Sequence, residues 1–97
     1  SLSSLPTEIG QLTNLTELDL SGNKDLDFQD TFLKLAPLDS LTTLYLLNNS
    51  LSSLPAEIKK LTKLKTLDLR NNNFSEAERK KIESWLKESA PYCTIKW

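Results

Sequence analysis

The sequence has no histidine, no methionine, one cysteine and two glycines among 97 residues. Without histidine it lacks the side chain that most often shuttles protons or holds a metal near neutral pH. A lone cysteine, Cys93, excludes an internal disulfide and a thiolate metal cluster. It lies between Tyr92 and Thr94 with no base close in sequence, so a small buried core residue is a simpler reading than a nucleophile. No apolar stretch approaches the ~20 residues of a membrane-spanning helix, and no signal-peptide pattern is present. Asp25, Asp27 and Asp30 are close together but lack the glycine and terminal glutamate of a calcium loop, and helix capping accounts for them. No catalytic, cofactor-binding or metal-binding residue is therefore expected.

What the sequence does have is leucine, 21 of 97 residues, and in a fixed order. Three segments share the pattern L-x-x-L-x-L-x-x-N, at Leu15 to Asn23, Leu41 to Asn49 and Leu64 to Asn72. The copies begin at 15, 41 and 64 and so stand 26 and 23 residues apart, within the period of a repeat architecture. Side chains alternate across a strand, so Leu18 and Leu20, Leu44 and Leu46, and Leu67 and Leu69 are expected to point into a core. One such turn is too small to bury its own leucines and becomes stable by stacking on a neighbour. The closing Asn23, Asn49 and Asn72 have donors and acceptors enough to serve the backbone of adjacent turns.

Between strands the chain must return. Leu51, Leu54, Ile58 and Leu61 recur at helical spacing, and Pro55 suits the first position of a short helix. The opening Leu2 to Leu12 repeats the same segment 49 residues earlier. The middle connection is longer, and Phe28, Phe32 and Leu35 predict a fuller helix that ends near Pro37. From Ser75 a capping box, Ser75-Glu-Ala-Glu78, starts a helix with an expected inward stripe of Ala77, Ile82, Trp85 and Leu86. Tyr92 to Trp97 alternates as one more strand able to pair with residues 66–69.

These features resemble the leucine-rich-repeat proteins of the roughly 23-residue kind, with an S-L-P-x-E-I segment after each Asn. Ser4-Leu-Pro-Thr-Glu-Ile9 and Ser53-Leu-Pro-Ala-Glu-Ile58 carry that segment, and the resemblance covers residues 2–74. The ending from Glu78 to Ile95 is similar to the C-terminal caps of bacterial members. The resemblance implies an α/β solenoid: a parallel β-sheet on the concave side, short helices on the convex side and a helix-plus-strand cap. It gives one domain over 1–97, with 1–14 the end of a preceding repeat, repeats at 15–40, 41–63 and 64–74, and the cap at 75–97. Because the sequence opens in mid-repeat without methionine, it is expected to be the C-terminal part of a longer chain. Members of the family act mainly as protein-binding scaffolds, so a protein or peptide ligand and no enzymatic activity are implied.

Residues between the inward leucines face out on the concave side: Glu17, Asp19, Ser21, Thr43, Tyr45, Leu47, Thr66, Asp68 and Arg70. Eight of these, all but Ser21, are the candidate partner-binding residues. Tyr45 and Leu47 form an apolar centre with an acidic neighbour on each side, and tyrosine with arginine is the composition of an interface hot spot; isolated exposed apolar residues are also common on any surface. Residues 1–50 carry two Lys against seven Asp or Glu, a balance of −5, and residues 51–97 carry ten Lys or Arg against six, a balance of +4. The pI of 5.4 and the absence of aromatics among Lys59, Lys60, Lys63 and Lys65 speak against nucleic acid. The alternative to a binding module is a self-assembling subunit that uses the N-terminal edge, where Leu2, Leu5, Leu15 and Leu18 are expected to be open. Three N-x-S/T triplets, at Asn14, Asn48 and Asn73, fit chance in a sequence rich in these residues, and no compartment is indicated.

Overall fold

Every leucine phrase folds as a short strand, and the strands run parallel. In the computed structural model, which describes residues 2–97, β1 (Glu17–Asp19), β2 (Thr43–Tyr45), β3 (Thr66–Asp68) and β4 (Thr94–Lys96) form one sheet in chain order. Residue 1, the start of the expected span 1–14, lies outside the described residues. The register is in step throughout: Leu18 pairs with Leu44, Leu44 with Leu67 and Leu67 with Ile95. Inward side chains therefore stack in columns, and Leu44, Leu46, Leu67 and Leu69 are buried at the centre of the core.

The convex side is built from what returns the chain. Thr7–Gln11 and Ala56–Lys60 are single 3₁₀ turns. Their tight bonds run from Ile9 N–H to Pro6 O at 3.1 Å and from Ile58 N–H to Pro55 O at 3.2 Å. Pro55 is the residue before the turn and not its first member as expected. Its backbone is extended, with φ −67° and ψ 152°, and its carbonyl supplies the first acceptor. The longer middle connection forms α1 (Phe28–Leu35). Asp27 caps it by accepting from Asp30 N–H at 3.2 Å, and Phe28, Phe32 and Leu35 are buried on one face as expected. The two rings lie 6.0 Å apart.

The cap follows the expected plan with one correction. Helix α2 (Glu76–Ser89) begins where Ser75 Oγ accepts from Glu78 N–H at 3.2 Å, while the Glu78 carboxylate pairs with Lys81 at 2.8 Å. Ile82 and Leu86 are buried and Trp85 is half-buried, but Ala77 is exposed. Five residues separate Ala77 from Ile82, which places them about 140° apart around a helix of 3.6 residues per turn. Strand β4 then pairs with β3, Thr66 against Thr94. Trp97 packs edge-on to Phe74 at 5.5 Å and donates from Nε1 to Glu83 at 3.0 Å, which ties the last strand to the helix.

The asparagines join the turns. Asn49 Oδ1 accepts from Asn23 N–H at 2.5 Å, and Asn72 Oδ1 accepts from Asn49 N–H at 2.9 Å. In the opposite sense Asn49 Nδ2 donates to Leu20 O at 3.2 Å and Asn72 Nδ2 to Leu46 O at 2.9 Å. Each amide thus satisfies backbone groups of the preceding turn, groups that would otherwise be buried without partners.

Stacking separates leucines that occupy equivalent places in the repeat. Leu12 and Leu61 occupy equivalent places 49 residues apart; Leu61 is 5% exposed between neighbouring turns and Leu12, in the first turn, is 51% exposed. Leu15 and Leu18 are half-buried for the same reason. Leu5 departs from the expectation of an open edge: it is 4% exposed and belongs to the main core. Its carbonyl accepts from Lys34 Nζ at 2.6 Å, so α1 holds the first turn down on it. Truncating Leu44 to alanine is expected to cost about 2–5 kcal/mol by leaving a cavity. Asn49→Ala is expected to cost about 1–3 kcal/mol by orphaning buried backbone groups. Thermal melts of the two variants check both values, and an Asn49→Ala melt equal to the parent's would contradict the ladder's role.

Candidate functional site

Alternation and register together lay the concave face out in rows. Glu17, Thr43, Thr66 and Thr94 form one row and Asp19, Tyr45, Asp68 and Lys96 the next. Past the strand ends Ser21, Leu47 and Arg70 continue the pattern, tied by Leu47 N–H donating to Ser21 Oγ at 3.0 Å and Asn48 N–H to Arg70 O at 3.4 Å.

At the β1 end Glu17 and Asp19 are exposed. Hydrogen bonds from Ser21, side chain and then backbone, hold the Asp19 carboxyl below its ordinary pKa. Tyr45, half-buried at the centre, donates its hydroxyl to Glu17 Oε1 at 3.3 Å; desolvation first and the Glu17 charge second push its pKa up. Leu47 is half-buried beside it, and Thr43 and Thr66 are half-buried in the row below.

Asp68 corrects the sequence reading. It sits at an outward position yet its side chain is fully buried, beneath an Arg70 side chain that is 54% exposed. Arg70 Nε donates to Asp68 Oδ1 at 2.9 Å and Nη2 to Oδ2 at 2.8 Å, a bidentate fork that favours the charged carboxylate. The Arg70 hydrogen bond accordingly holds Asp68 below the ordinary carboxylate range and raises Arg70. A buried carboxylate needs such a partner, and at this position the nearest cation lies two residues on. Asp68 therefore offers nothing to a partner directly; it fixes Arg70. Conversely, Thr94 and Lys96 join the face, both exposed. The alternation of the last strand, read against Thr66 and Asp68, carried that signal.

The remaining polar clusters hold the fold together. Asp27 caps α1, and Asp30 pairs with Lys34 at 2.8 Å. No group of three or more His, Cys, Asp or Glu side chains is placed to hold a metal among the described residues. Cys93 is half-buried at the margin of the core, short of the full burial expected of it, and burial pushes its thiol up to about 11. No helix among the described residues is long and apolar enough to cross a membrane.

The stacked strands, the asparagine ladder and the phrase that generates them point one way. Family models agree: one for two copies of the leucine-rich repeat matches residues 39–83, and one for a single leucine-rich repeat matches residues 14–35. The chain belongs to the leucine-rich-repeat family. Among solved structures, this leucine-rich-repeat chain is similar to a leucine-rich-repeat protein of Leptospira interrogans, at 38% identity and a TM-score of 0.72 over 98% of its length. It spans 22% of that protein. No curated protein matches the sequence.

The Asp68–Arg70 clamp makes stability pH-dependent with a defined sign. Because the folded carboxyl lies below its ordinary 3.8, its contribution is complete above that value and lost as pH falls from there through the lower folded pKa. Melting of the parent at pH 7 and pH 3 should therefore differ by more than melting of Asp68→Asn, whose uncharged side chain has no such loss. Equal pH dependence in the two would contradict the clamp.

Proposed function

We propose that this chain is a non-enzymatic interaction module whose concave face binds a protein or peptide through Tyr45 and Leu47, with Asp19 and Arg70 selecting among partners. The observation that carries this is the half-buried Tyr45 and Leu47 between two exposed carboxylates on one side and a clamped guanidinium on the other. A tyrosine beside a preorganised arginine supplies large contact area with little side-chain entropy to lose. Leucine-rich-repeat proteins typically bind proteins, which supports the same reading. Tyr45→Ala and Leu47→Ala should each weaken a partner captured from the native source by more than about 1 kcal/mol while leaving the melting temperature of the free chain near the parent's. A smaller loss from both would remove the hot spot.

A second reading rests on the exposure of Leu2 and Leu12, in the first turn, at 47% and 51%. A further turn or another copy would bury them, and in a head-to-tail pair the acidic half would meet the basic half of the next molecule. Light scattering of the 97-residue chain at low and high salt tests the assembled form: association that weakens with salt supports it, and a monomer at high concentration excludes it.

A further inference from the structure

The concave face is charged in opposite senses at its two ends. Glu17 and Asp19 lie exposed on β1. Across the sheet Lys96 is exposed on β4, and Arg70 spreads over Asp68 so that this carboxylate never reaches the surface. The clamp uses Nε and Nη2 of Arg70, and the Nη1 donors have no partner among the described residues. Neighbouring strands are ~4.8 Å apart, so β1 to β4 is three intervals or about 14 Å. Tyr45 and Leu47 sit on β2 and just beyond it, one interval in from the acidic end.

An extended chain advances ~3.3 Å per residue and points every second side chain the same way. Positions i, i+2 and i+4 therefore share a face and span about 13 Å, close to the width of the sheet. A helix rises ~1.5 Å per residue and would need its charges about nine residues apart to bridge the same ends.

We propose that the face takes an extended peptide laid across the strands, with a basic side chain over Glu17 and Asp19, an apolar one over Tyr45 and Leu47, and a carboxylate over Lys96 and Arg70. The recognised pattern is a basic, an apolar and an acidic residue at alternate positions, in either chain direction because side chains make the contacts. This rests on the concave face being the binding surface and adds the chemistry of what it binds.

Random 12-residue peptides displayed on phage and selected on the full chain test it. Selected sequences should carry basic and acidic residues four apart around an apolar one. Replacing the basic residue of such a peptide by alanine should weaken binding about two- to fivefold at low salt, the worth of one exposed ion pair. Glu17→Lys should weaken the parent peptide by at least as much and be rescued by a peptide with glutamate at the basic position; Lys96→Glu should be rescued by a lysine at the acidic one. Both side chains are exposed, so the fold is not at stake. Peptides that depend on Tyr45 but lack the charge pair, carry it at about nine residues, or ignore both charge reversals would overturn the inference and leave the binding face standing. If no peptide binds, or if binding survives Tyr45→Ala, both fall together.

Discussion

Each turn of this chain exposes more apolar surface than it can cover, and every other feature of the fold answers to that. The leucine columns and the asparagine ladder are two parts of one solution. Burying Leu20, Leu46 and Leu69 against neighbouring turns also takes their carbonyls away from water. Asn23, Asn49 and Asn72 then supply side-chain amides where the backbone has left its strand, each reaching the carbonyl of a buried leucine. Apolar burial without the amides would leave buried acceptors unpaired, and amides without the leucines would have nothing to hold in register.

Much of this was legible in the sequence because it follows from period. Alternation gave the strands and their inward leucines, helical spacing gave α1 and its buried aromatics, and the departure from the phrase after Phe74 marked the cap. What was not legible depends on contacts between residues that pattern treats as independent. An aspartate at an outward position reads as exposed, and only the fold of Arg70 back across it buries Asp68. Spacings of three and four residues fit α and 3₁₀ turns alike, so Pro55 could not be placed to the residue. Leu5 reads as part of an open edge until α1 is seen to close over it. Lys96 required the register of β4, which the sequence supplied only as a possible pairing.

On the concave side, charge is placed and not merely abundant. The half-to-half imbalance of the sequence becomes, on the sheet, two carboxylates on β1 against Lys96 on β4 and Arg70 just past β3, with one interior carboxylate already neutralised. Under the proposed binding mode such an arrangement would reject partners as well as attract them, since a like charge brought to either end would meet repulsion.

The unequal convex connections have a mechanical consequence. An α-helix with its side chains is ~10 Å across, about twice the distance between adjacent strands, whereas a single 3₁₀ turn is slimmer. α1 and α2 therefore alternate with the two 3₁₀ turns as thick and thin wedges along the back of the sheet. Curvature is driven from behind, by the bulk of Phe28 and Phe32 in one wedge and Ile82 and Leu86 in the other. The radius of the concave sheet is thus set by core residues and not by the side chains that the sheet presents.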